Sequence, residues 1–89
     1  MKVLVVCGCG FGSGLILKDN VEKALAELGI SASVEVRAYT VADTEDADLF
    51  VTHTSFADKL ESAGKPVVVL HSMVDMKEIR SKLKAYFGK

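Results

Sequence analysis

The chain has no tryptophan, one proline and only two cysteines among its 89 residues, and neither charge sign prevails. Each scarcity removes a class of explanation. Cys7 and Cys9 cannot make a disulfide framework, because a bridge between them would close a very tight ring. Two thiols are also too few for a structural zinc site, so no metal and no other cofactor is expected. In a chain without cross-links a thiol either packs or reacts. With 11 Lys and Arg against 12 Asp and Glu, the formal net charge is −1, and no basic field points to nucleic acid. Lys77, Lys82, Lys84 and Lys89 gather late in the chain but alternate with apolar positions, as on a solvated helix face. No apolar run approaches the roughly 20 residues that cross a bilayer, so no direct membrane insertion is expected. Met1 and Lys2 lead at once into a strand-like run without the shape of a cleavable signal, which makes the cytoplasm the expected location.

What is present is ordinary for a globular protein, with 49% hydrophobic and 26% charged residues. Residues 1–89 read as one domain, long enough to bury a core. Residues 2–6 are apolar and valine-rich after Lys2, the mark of a strand covered on both faces. From 15 to 28, Leu17, Val21, Ala24, Leu25 and Leu28 fall on one helical stripe, with Lys23 and Glu27 on the wet side and Gly29 as terminator. Residues 32–38 alternate, Val34 and Val36 inward against Glu35 and Arg37 outward, as in an edge strand. Residues 39–47 are polar and acidic, with Asp43, Glu45 and Asp46, and contain at most a helical turn. A buried strand follows at 48–53, then a helix at 56–63 with Phe56, Leu60 and Ala63 on one face, closed by Gly64. Pro66 opens a fourth strand at 67–71, and a last helix at 75–87 carries Met76, Ile79, Leu83 and Phe87. This β-α-β-(α)-β-α-β-α order predicts an α/β fold of three layers. Its four-stranded, mainly parallel sheet has the order 2-1-3-4 and is doubly wound, with helices on both faces. Ligands of such sheets bind beyond the carboxyl ends of the strands, at the switch point beside the first strand.

That point is occupied by the most unusual stretch of the chain, CGCGFGSG at residues 7–14. Gly8, Gly10, Gly12 and Gly14 alternate, which no regular element tolerates cheaply, so the segment is a loop between strand and helix. Ser13 is expected to cap the helix. Unpaired N–H groups at the start of that helix, and its dipole, favour negative charge. No acidic residue in the expected first turn neutralises that end, so it stays open to an anion from outside. Cys7, at the strand end, reads as a nucleophile rather than as a small buried residue, whereas Cys9 reads as loop filling. Phe11 at the tip has no evident core role and suits a partner contact. His53, Thr54 and Ser55 after the third strand and His71 after the fourth should lie on the same rim, where a histidine could donate to a phosphate or tune Cys7.

Three familiar chemistries fit poorly. A Walker A loop needs a Lys–Ser/Thr pair after its second glycine, and none is present. A dinucleotide fingerprint would want a third glycine where Ser13 stands, and an acid where Arg37 and Tyr39 lie. A cysteine phosphatase places an arginine six residues after its nucleophile, and here that position is again Ser13. Asp75 could reach the loop as a general acid, but without the arginine the loop is better suited to holding a phosphoryl group than to hydrolysing it.

The motif CGCGFGS, followed by an apolar helix start with Ile16 and Lys18, resembles the cysteine phosphorylation site of sugar phosphotransferase-system (PTS) enzyme IIB components. Within the lactose, galactitol and ascorbate group it is most similar to the ascorbate type, and the resemblance spans essentially the whole chain. It implies a phosphotransferase in which Cys7 takes a phosphoryl group from a phosphohistidine of the IIA component and passes it to a sugar held by the membrane component IIC. An ascorbate-like substrate and peripheral association with the membrane through IIC follow from the same resemblance. Gly8, Cys9, Gly10, Phe11, Gly12, Ser13 and Gly14 would cradle the phosphoryl group. Gly14 departs from the branch, which commonly has a second hydroxyl there, although a glycine amide can still donate. A free thiol has a pKa of about 8.5 and a helix N-terminus lowers it, which favours the attacking thiolate. The alternatives are a thiol redox or sensor domain using Cys7 and Cys9, and a phosphatase-like, anion-binding domain without turnover.

Overall fold

A computed structural model describes residues 1–7, 12–42, 46–72 and 75–88, the side chains of Cys7, Ser13, Val41, Ala42 and Ser55 excepted. Its elements are β1 (Lys2–Cys7), α1 (Gly12–Glu27), β2 (Ser33–Ala38), α2 (Tyr39–Ala42), β3 (Leu49–His53), α3 (Thr54–Ser62), β4 (Val67–Leu70) and α4 (Met76–Phe87). The strands form one sheet in the order β2-β1-β3-β4, and all three pairings are parallel. The expected topology is the observed one.

The layers follow from strand alternation. Val3 and Val5 of β1 and Leu49 and Val51 of β3 face α1 and α4, meeting Leu17, Val21, Leu25, Ile79 and Leu83. Leu4 and Val6 of β1 and Phe50 of β3 face the other way, against Leu60 of α3 and Tyr39 of α2. Val3, Leu4, Val5 and Val6 are all fully buried, which is why their run carries no polar alternation. Each such side chain contributes about 1.5–3 kcal/mol of burial. Lys59 of α3 fastens the short α2 by donating to the Thr40 carbonyl (3.2 Å) while lying over the Tyr39 ring.

Several boundaries differ from expectation, each for a local reason. α1 begins at Gly12 rather than at residue 15, so Ser13 lies inside its first turn instead of capping it. α1 then ends as expected, with Gly29 at φ +72°, a conformation that glycine adopts without strain. α3 starts at Thr54, which draws Thr54 and Ser55 from a loop into a first helical turn. β4 stops at Leu70, leaving His71 beyond it. Asp48 stands before β3 rather than in it, its carboxylate accepting the Lys2 N–H at 2.7 Å. On the wet side of α1, Lys23 pairs with Asp19 (3.1 Å), while Glu27 meets Arg80 of α4 (3.3 Å). Lys77, Lys82 and Lys84 are exposed, as a solvated face requires. Lys89 and the acidic residues Asp43 and Glu45 lie outside the described residues.

Candidate functional site

The carboxyl ends of the four strands form one rim. Cys7 pairs in register with Ala38 of β2. Val6 pairs with Thr52 of β3, so the next residues along, Cys7 and His53, stand level on adjacent strands. His53 in turn pairs with Leu70, and His71 follows. Parallel neighbours lie about 4.8 Å apart, so the backbone of Cys7 has those of Ala38 and His53 on either side. The connection leaving β1 runs to β2, whereas the one leaving β3 runs to β4 and passes over the opposite face of the sheet. Cys7 therefore ends its strand at the topological switch point, where an open α/β sheet leaves a crevice. Thr52 pins this junction. It is fully buried, and its hydroxyl donates to the Val6 carbonyl at 3.1 Å, one residue ahead of Cys7. The sequence marked Thr52 only as a strand residue, although a hydroxyl within a buried apolar run does call for a partner.

α1 supplies the electropositive side of the site. Its first turn holds Gly12, Ser13 and Gly14 and no acid, so nothing within it offsets the dipole. Its leading N–H groups have no intrahelical acceptor. Gly14 is buried, whereas Leu15 and Ile16 are 57% and 52% exposed beside it, an apolar pair at the edge of the site. The expectations for Gly8, Cys9, Gly10 and Phe11, and for the side chains of Cys7 and Ser13, lie outside the described residues.

The opposite side of the rim carries a polar network. The His53 Nε2–H donates to the His71 carbonyl at 3.1 Å. A carbonyl can only accept, so the neutral His53 ring is the Nε2–H tautomer with Nδ1 as acceptor, and the Thr54 hydroxyl lies 3.5 Å from Nδ1. His71 is turned outward, its Nδ1–H donating to Glu78 of α4 at 2.8 Å. Glu78 also accepts the backbone N–H groups of His71 and Ser72, both at 3.0 Å. These bonds hold its carboxyl below the ordinary glutamate pKa, the backbone bond from His71 contributing most and the His71 side chain next. Sequence reasoning missed Glu78. Its signal was an acid three residues after an N-cap, a position commonly occupied by a capping carboxylate. Asp75, considered above as a general acid, is instead that N-cap. Its carboxylate accepts the N–H groups of Lys77 (3.1 Å) and Glu78 (3.3 Å), which commits it to α4. Ser55 belongs to the first turn of α3 by its backbone.

Among the described residues, no helix is long and apolar enough to cross a membrane. The family model for the lactose/cellobiose-specific IIB subunit of the PTS system matches residues 2–85. A curated relative, the ascorbate-specific PTS system EIIB component of Mycoplasma pneumoniae, is 27% identical over 86 residues, covering 93% of this chain and 90% of its own length. The solved lactose-specific IIB component domain of the Streptococcus pneumoniae phosphotransferase system superposes with a TM-score of 0.61. At 18% identity, over 99% of this chain and 95% of that one, it establishes a common fold. With its sheet order, its cysteine at the switch point and a family match that leaves out only a few terminal residues, the chain belongs to the PTS IIB family, the phosphotransferase components of sugar transport.

Proposed function

We propose that this chain carries a phosphoryl group on Cys7 between a IIA donor and a sugar bound to a membrane IIC component. The observation that carries the reading is the placement of Cys7, which ends β1 at the switch point and immediately precedes the segment leading into α1. In the first step the Cys7 thiolate attacks phosphorus on the phosphohistidine. The S–P bond forms as the P–N bond breaks, and the leaving imidazole nitrogen recovers a proton. In the second step a sugar hydroxyl attacks phosphorus, the S–P bond breaks and the thiolate is regenerated as the hydroxyl proton departs. Residues 8–14 would receive the phosphoryl oxygens on backbone N–H groups, aided by the positive end of α1. Positioning and charge stabilisation suffice for such transfer. The position six residues after Cys7 holds Ser13 rather than an arginine, which suits a carrier better than a hydrolase.

The substrate proposed first is ascorbate, after the specificity of the curated relative, with lactose-type sugars as the comparison. Work between IIA and IIC would place the chain at the cytoplasmic face of the membrane. The test offers purified protein a phosphorylated IIA component and locates the label by mass spectrometry. Labelling should be lost in Cys7→Ser and largely kept in Cys9→Ser. Equal labelling of Cys7→Ser would overturn the carrier reading. A reductant-sensitive mass change abolished by either substitution would favour a thiol redox domain instead.

A further inference from the structure

Glu78 stands in the first turn of α4. Its carboxylate reaches back to the chain leaving β4, where it takes both backbone N–H groups of residues 71 and 72 and the His71 ring. The His71 carbonyl, fixed by the same peptide geometry, is the acceptor for His53 Nε2–H. One acid on α4 is thereby linked, through one residue, to the ring of His53, whose backbone follows the Val6–Thr52 pair at the end of β3. Only 17% of the Glu78 side chain is exposed, so water competes weakly for its oxygens, whereas the His71 side chain is 74% exposed. A carboxylate accepts from Nδ1–H, which leaves Nε2 as the lone-pair nitrogen of the neutral His71 ring.

We propose that Glu78 is a positioning residue for the phosphoryl-transfer rim. It fixes the backbone after β4, through the His71 carbonyl it holds the His53 ring on the rim at the end of β3, and it turns His71 Nε2 outward toward an incoming partner. Both nitrogens of His53 face neighbours within the protein, so His53 shapes the rim, and His71 Nε2 is the imidazole nitrogen presented outward. The effect on transfer rests on the carrier reading above, whereas the geometric claim does not.

The experiment pairs long-range 1H–15N spectra of the two imidazoles with the rate of phosphoryl transfer from phosphorylated IIA, in wild type, Glu78→Ala, Glu78→Gln and His71→Ala. Wild-type His53 should show the Nε2–H pattern with a slowly exchanging ring proton. In Glu78→Ala that proton should exchange about tenfold faster or more, as its acceptor loosens. His71→Ala keeps its own N–H and carbonyl, so the His53 pattern should survive there. Transfer to Cys7 should slow about tenfold in Glu78→Ala and recover in part in Glu78→Gln, whose amide oxygen still accepts from the backbone. Circular dichroism identifies any variant that fails to fold, and Glu78→Gln preserves a helix former in that event. An unchanged His53 pattern in Glu78→Ala, or equal loss in His71→Ala, overturns the positioning claim. Normal transfer with a disturbed His53 pattern overturns its link to function. If wild type accepts no phosphoryl group, the carrier reading fails and the spectra still decide the geometry.

Discussion

Replacing Glu78 by glutamine removes one negative charge and leaves an oxygen that can satisfy only part of what the carboxylate does. The carboxylate accepts three donors, the N–H groups of His71 and Ser72 and the His71 ring, from within the first turn of α4. A hydrogen bond to a charged group contributes about 1.5–3 kcal/mol net where water is excluded. Glu78 is partly reached by solvent, and glutamine keeps some of the contacts, so the expected loss is about 1–2 kcal/mol near neutral pH. For a domain of this size that corresponds to a melting temperature lower by about 4–16 °C. The pH dependence follows from the direction of the pKa shift. The folded-state carboxyl lies below its ordinary value, so its stabilisation is complete above the unfolded value of about 4.3 and is lost as pH falls through the lower, folded value. Urea unfolding of wild type and Glu78→Gln across the acidic range tests this directly. The stability difference should be present above about pH 5 and should shrink as pH falls through the folded pKa of Glu78. A difference that persists unchanged into strong acid, or a variant as stable as wild type at pH 7, would refute the network.

Two further perturbations separate the core of α1 from its site-facing edge and test the start of α4. Leu17→Ala should cost about 2–5 kcal/mol in urea unfolding, because its fully buried side chain fills the space between α1 and the sheet. Leu15→Ala, at 57% exposure, should change stability by no more than about 0.5 kcal/mol. Equal losses would contradict the burial of that stripe. Asp75→Ala removes the acceptor for two N–H groups of α4 and should cost about 1 kcal/mol, while Asp75→Asn should retain most of it. If alanine and asparagine destabilise equally, the cap is not the source of the effect.

Much of the fold could be read because its elements obey local rules. The all-apolar run at residues 3–6 requires cover on two faces, and the 17-21-24-25-28 stripe permits only one helical orientation. Neither depends on distant partners. The rim was less legible, since its fastenings join residues far apart in the chain. Thr52 reaches Val6 across 46 positions, and Glu78 meets His71 through a loop rather than along a helix. Helix starts were misplaced for a similar reason. Gly12 and Ser13 look like loop or cap residues by composition, yet α1 already includes them, while Thr54 enters α3 directly from the end of β3. Asp75 shows how chemistry can be overread. An acid that was expected to be able to reach the glycine-rich loop proves to be the N-cap of its own helix. The place of Cys7 at the end of β1 was legible, because an apolar run followed by alternating glycines marks a strand end, and the switch point there follows from the strand order.

The central claim is that Cys7 carries a phosphoryl group in transit, and phosphorus NMR of the intact protein tests it most directly. After incubation with phosphorylated IIA component, wild type should give one phosphocysteine resonance that is absent from Cys7→Ser. That resonance should vanish when membranes bearing the IIC component and its sugar are added, with phosphorylated sugar appearing in equal amount. A resonance that forms on another residue, or one that decays only to inorganic phosphate in the presence of the acceptor, would contradict the account.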